Sequence, residues 1–130
     1  MAITRKAIRA NWIKRLRSGK YKQGRMRLKG ADSETGETRY CCLGVLCEFL
    51  EEKGMLRSYK SGGSYVFTDG YEESTSYLTE KAKTAAGLIS CGGVGIKGGS
   101  LTSLNDQQCC CFSEIADALE EGYYWEENQK

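Results

Sequence analysis

Tyr40-Cys41-Cys42-Leu43-Gly44-Val45-Leu46-Cys47 is the densest apolar run in the chain, and its reading decides the fold. Apolar residues continue past it at helical spacing. Leu43, Leu46, Cys47 and Leu50 fall at i, i+3, i+4 and i+7, while Glu48, Glu51 and Glu52 fall on the opposite side. The spacing predicts a helix from Cys42 to Lys53, ended by Gly54 just past its C-terminus. Such a helix is the central column of a core.

Upstream, Glu37 to Cys41 reads as a strand leading into this helix, reached through the turn composition Asp32-Ser33-Glu34-Thr35-Gly36. Its partner is the alternating segment Lys20 to Lys29. There Met26 and Leu28 point one way and Arg25, Arg27 and Lys29 the other, a half-buried strand with a cationic outer face. A first helix is predicted from Arg5 to Ser18, with Thr4 as N-cap, Gly19 at its end and an apolar stripe of Ile8, Trp12 and Leu16. Arg9 projects onto that stripe, where it either snorkels to solvent or meets an acidic partner or ligand.

Downstream, Met55 to Tyr59 and Ser64 to Phe67 flank Lys60-Ser61-Gly62-Gly63 as a second hairpin. Glu72 to Ser76 reads as surface loop. A short, weakly packing helix spans Glu80 to Ala86 between the caps Thr79 and Gly87. Ser100 caps another, with Leu101 and Leu104 inward, interrupted at Asn105-Asp106-Gln107-Gln108. The last helix, Phe112 to Glu121, carries Phe112, Ile115, Ala116 and Leu119 on one face and stops at Gly122. The expectation is a single α+β domain over residues 1–130, a small antiparallel sheet of two hairpins packed against about three main helices. Its core comprises Trp12, Leu16, Leu43, Leu46, Cys47, Leu50, Leu104, Phe112, Ile115 and Leu119.

Composition narrows the chemistry. The chain has no histidine, which removes histidine-based triads, Cys-His dyads and histidine metal ligands. Seven cysteines, an odd number with two adjacent sets and no secretory signal, read as reduced thiols serving as small buried hydrophobes. No apolar run approaches the ~20 residues of a membrane span, and a cytoplasmic location is expected. The net charge of +2 conceals an asymmetry: every charged residue before Ala31 is Lys or Arg, and after Ser100 nearly all are acidic.

Several pieces then stand in order: Trp12; Leu16-Arg17-Ser18-Gly19 with Tyr21 and Gln23; Tyr40 to Cys47; Leu104-Asn105-Asp106; and Phe112 with Glu114-Ile115-Ala116-Asp117. Together they resemble a widespread family of small, mostly uncharacterised proteins carried by bacteriophages and some bacteria. The resemblance spans residues 12 to 120 with a variable middle. It implies a phage or phage-like source and carries no activity with it. That family typically has Ser or Thr before the Phe of the last helix and Glu three residues on, a capping box. Here the position is Cys111, a poor acceptor.

Cys41 and Cys42 sit where a helix N-terminus lowers a thiol pKa, but the chain offers no histidine base. The cysteine spacings lack the Cys-x2-Cys pairs of zinc sites. Gly93-Val94-Gly95-Ile96-Lys97-Gly98 matches a dinucleotide fingerprint literally, without the strand–turn–helix context that gives it meaning. No catalytic residue, metal or cofactor is therefore expected. The expected function is that of a phage-type accessory protein that binds a host factor or an anionic, nucleotide-like ligand, with a role against host defence suggested by the phage resemblance. A nucleic-acid-binding protein using residues 5–29 is the alternative, and a cysteine-dependent enzyme the third. The expected ligand-binding residues are Arg17, Gln23, Tyr40, Cys41, Asn105 and Asp106. They are polar or amphipathic groups at element ends, where the basic front meets the central helix.

Overall fold

A computed structural model describes residues 3–96, 99–108 and 110–126. In chain order the elements are α1 (Arg5–Arg17), β1 (Lys29–Ala31), β2 (Thr38–Tyr40), α2 (Cys42–Glu52), β3 (Arg57–Ser61), β4 (Ser64–Thr68), β5 (Glu73–Ser74), α3 (Glu80–Ala86), α4 (Leu101–Asp106) and α5 (Phe112–Glu121). The architecture is α+β, with an antiparallel sheet in the order β2-β1-β4-β3. β3 pairs with β4 along its whole length, so β1 and β5 share the other edge of β4. Two hairpins form, β1–β2 and β3–β4, the second close to the one the sequence predicts and the first with a much shorter opening strand. The turn of the first is fixed by Asp32, whose Oδ1 accepts the amides of Glu34 and Thr35.

α2 is the central column. Its N-terminal half, from Cys42 to Cys47, is buried on every side rather than along one stripe. The reason is Gly44. A methyl group there would lie 1.6 Å from the Leu28 carbonyl oxygen, so only glycine lets the chain before β1 cross the helix this closely. α1 packs against α2, α3 and α5, and α4 fills the space between α2 and α5. Trp12, fully buried, donates its indole N–H to the Cys42 carbonyl at 2.9 Å. Its ring meets Trp125 edge-on at 6.0 Å, which draws the aromatic tail into the core. Arg9 turns toward the end of α3. Its Nε donates to the Ala86 carbonyl at 2.7 Å, satisfying the C-terminus of α3, and its guanidinium stacks over Trp125.

Four expectations are corrected. Lys20 to Leu28 is not a strand. The chain is extended only where Gln23 bridges Tyr40 in parallel, and it then loops out until β1 begins. The segment has no β-branched residue, and Gly24 packs against the Arg39 side chain. Met26 consequently points to solvent, 72% exposed, instead of joining Leu28 in the core. Glu73–Ser74 is a short strand inside the stretch expected to be loop. α3 packs closely, because Ala82 and Ala86 are small enough to bury. α4 continues through Asn105 and Asp106, and Leu104 is only partly buried.

Candidate functional site

Asn105 brings together half of the expected site residues, itself with Gln23 and Asp106. It is fully buried, and its side chain makes as many hydrogen bonds as an amide can readily support. Its Oδ1 accepts from Gln23 Nε2 at 2.8 Å and from the Cys42 amide at 3.2 Å. Its Nδ2 donates to the Gly24 carbonyl at 2.9 Å and to Asp106 Oδ1 at 2.8 Å. Gln23 also donates to the Cys110 carbonyl. One side chain therefore ties together the 22–24 segment, the N-terminus of α2 and the α4–α5 connection. Asp106 passes the organisation on: its Oδ1 also accepts the Met26 amide at 2.9 Å.

The remaining expected residues are committed elsewhere. Tyr40 lies edge-on to Tyr21, and its hydroxyl donates to Glu48 at 3.2 Å. Burial, reinforced by Glu48, raises its pKa. Cys41 is buried at the start of α2, where desolvation outweighs the helix N-terminus and raises the thiol pKa to about 11. Burial raises Cys42 and Cys47 in the same direction. The dipole argument for a reactive thiolate at this terminus is overturned by desolvation. Arg17 stands apart, paired with Asp117 and Glu120 of α5. Two readings fall outside the described residues: Cys109, and the Lys97-Gly98 end of the glycine-rich motif.

The loop that leaves the Asn105 hub carries a different group of residues. Met26 holds φ at +66°, the one positive φ among the described non-glycine residues. Asp106 fixes its amide, and Ser76 Oγ donates to its carbonyl at 3.1 Å. This clamped turn places Arg25 and Arg27 on a cleft of about 310 Å³, lined also by Gly24, Gly30, Asp32 and Arg39. The floor is glycine. A methyl on Gly24 would come within 2.9 Å of Arg39 Cβ, and one on Gly30 within 3.0 Å of Arg27 Cδ, so the chain at Arg39 and the Arg27 stem pass close to bare backbone. The cleft continues past Arg25 and Arg39 to Gln23 and Cys111.

Three arginines and one aspartate line it. Asp32 is held ionised, its pKa lowered by the Thr35 and Glu34 amides with help from Arg39, and it pairs with Arg39 at 3.2 Å. Arg27 spends one donor on the Gly63 carbonyl. Arg25 makes no hydrogen bond or ion pair among the described residues. The positive charge of Arg25 and Arg27 is thus unopposed within the cleft.

A family model for a domain of unknown function, DUF8296, matches residues 4–123. The chain belongs to the DUF8296 family. No curated protein and no solved structure matches it. The match takes in every element from α1 to α5, so the hub and the cleft both lie within the family domain.

In this DUF8296 chain, alternation sets Arg25 and Arg27 on a cationic face but singles out neither Arg39 nor the turn at Met26. A signal was present. Gly24 and Gly30 bracket Arg-Met-Arg, and glycines that close together argue against a continuous strand and for close backbone approach. Among the described residues, no three cysteine or carboxylate side chains gather as metal ligands, and no helix is long and apolar enough to cross a membrane.

Proposed function

We propose that this DUF8296 protein works by binding an anionic ligand in the Arg25–Arg27–Arg39 cleft, without chemistry on it. One observation carries the reading: guanidinium groups line a glycine-floored cleft, and Arg25 has no hydrogen-bond or ion-pair partner among the described residues. Guanidinium forks match phosphate and carboxylate oxygens in pairs, and such charge-assisted hydrogen bonds are among the stronger ones in water. The lack of histidine and the raised pKa values of the buried thiols support binding over catalysis. Arg5, Arg15 and Arg17 of α1 are engaged by carboxylates, which interrupts the broad cationic surface that binding through residues 5–29 requires. The phage resemblance extends the reading to an accessory protein of the host cytoplasm that sequesters its ligand, or engages an anionic group of a host factor, to blunt host defence.

Calorimetric titration with pyrophosphate is the test. Wild-type protein binds, and Arg25→Ala weakens binding roughly tenfold or more, the worth of one charged hydrogen-bonded contact. The melting temperature stays unchanged, because Arg25 is exposed and makes no hydrogen bond or ion pair among the described residues. No binding by the wild type, or equal binding by Arg25→Ala, overturns the reading.

A further inference from the structure

Met26 does not only border the cationic cleft. It also lines a second one of about 500 Å³ with Ser76, Tyr77, Ser100, Thr102, Ser103, Asp106 and Gln107. The two clefts are therefore one side chain apart, and their chemistry differs. The first is cationic. The second has no basic residue, is rich in hydroxyl and amide groups, and is bordered by the Tyr77 ring, 57% exposed. Gly92 backs that ring: a methyl there would sit 3.5 Å from its Cδ1 and Cε1, so the ring rests against bare backbone and leaves much of its surface to solvent. The Tyr77 amide is tied to Ser74 Oγ at 3.0 Å, which fixes the base of the side chain. Asp106 belongs to the second cleft, not the first. Its Oδ1 serves the Met26 amide and Asn105, so an anion bound to the arginines does not meet this carboxylate among the cleft's lining.

We infer that the ligand is a nucleoside phosphate, free or within a single strand, that straddles Met26; the inference rests on the anion-binding reading above. The phosphate sits among Arg25, Arg27 and Arg39. Sugar hydroxyls and base edge meet Asp106, Ser103 and Gln107. The base lies against Tyr77, an aromatic face that stacks on any base. The Met26 thioether, soft and polarisable, forms the apolar saddle between the halves. Its left-handed backbone has a reason on this account. An exposed methionine in that conformation is strained, and the clamp from Asp106 and Ser76 holds the saddle between the clefts.

Titrate wild type, Tyr77→Ala and Arg25→Ala with pyrophosphate, adenosine diphosphate and hexathymidylate. Tyr77 is surface-exposed, so its variant folds, which a thermal melt verifies. The expected result is that a nucleoside-bearing probe binds wild type roughly tenfold or more tighter than pyrophosphate, the scale of one base–aromatic stack. Tyr77→Ala removes that advantage and leaves pyrophosphate affinity as it was. Arg25→Ala weakens all three probes. Preference for adenosine diphosphate identifies a free nucleotide, and preference for hexathymidylate a strand. Equal affinity for all probes, unmoved by Tyr77→Ala, overturns this inference while the anion cleft stands. No binding of any probe removes the cleft reading itself, and this inference with it.

Discussion

At the scale of the residue, Asn105 shows how a polar group at an element end can be scaffold. Asn105→Ala leaves the buried Cys42 amide without its acceptor and takes one partner each from the half-buried Gln23 Nε2 and Gly24 carbonyl. Each unmet group costs about 1–3 kcal/mol, so a loss of about 2 kcal/mol or more is expected in urea denaturation. Pyrophosphate affinity should fall as well, since Asp106 and the Met26 turn lose their support. A neutral effect on stability would contradict the buried hub. Cys41 offers a second prediction. Its folded pKa, about 11, lies above the unfolded value of about 8.5. Folding therefore favours the protonated thiol. That contribution is complete below about pH 8.5 and is lost as pH rises toward 11. Melting temperature should drop more steeply over this window in wild type than in Cys41→Ala. Identical slopes would show that the thiol is not desolvated.

At the scale of the element, helices were legible because each carries its own punctuation. Thr4, Thr79 and Ser100 are N-caps whose hydroxyls accept the expected amides, and Gly54, Gly87 and Gly122 follow helices with positive φ. Even Cys111, which has no hydroxyl, joins Glu114 in a capping-box arrangement, its amide donating to the Glu114 carboxylate at 2.9 Å. Over segment 20–28 alternation misleads, because it is a weak signal when the interactions that shape the loop come from far along the chain. Asp106 and Ser76, which clamp Met26, lie 80 and 50 residues away. The tail escaped for the same reason, as Trp125 is buried against Trp12 without any periodic pattern. Gly44 gives the element-scale test. In an ordinary helix, Gly→Ala stabilises by roughly 0.5–1 kcal/mol. Here the added methyl meets the Leu28 carbonyl, so the sign reverses. Gly44→Ala should destabilise by about 3 kcal/mol or more, at or beyond the upper end of overpacking costs. Leu46→Ala, fully buried in the same helix, should cost about 2–5 kcal/mol by leaving a cavity. A stabilised Gly44→Ala would mean that α2 and the chain before β1 do not cross as described.

At the scale of the whole molecule, the charge asymmetry resolves into two populations. Part of the basic front folds onto the acidic end of the chain. α1 packs on α5, Arg17 pairs with Asp117 and Glu120, and Arg5 reaches Glu126 at 3.5 Å. Arg25 and Arg27, by contrast, pair with no carboxylate among the described residues and line the cleft. These populations should separate in one experiment. Arg17 is exposed, and surface ion pairs contribute little to stability, so Arg17→Ala should leave the urea midpoint nearly unchanged. Pyrophosphate affinity should shift by no more than about twofold, since Arg17 does not line the cleft and distant charges are screened. Arg25→Ala should instead abolish most binding, likewise at unchanged stability. Raising the salt concentration should weaken pyrophosphate binding to wild type while hardly moving the urea midpoint, because the cleft depends on unopposed charge and the fold depends on its core. The opposite pattern, with Arg17→Ala losing the anion and Arg25→Ala keeping it, would move the site to the groove of Ala10, Ile13, Lys14 and Lys20 beside Arg17. It would also make the clamped Met26 turn a feature of the scaffold alone.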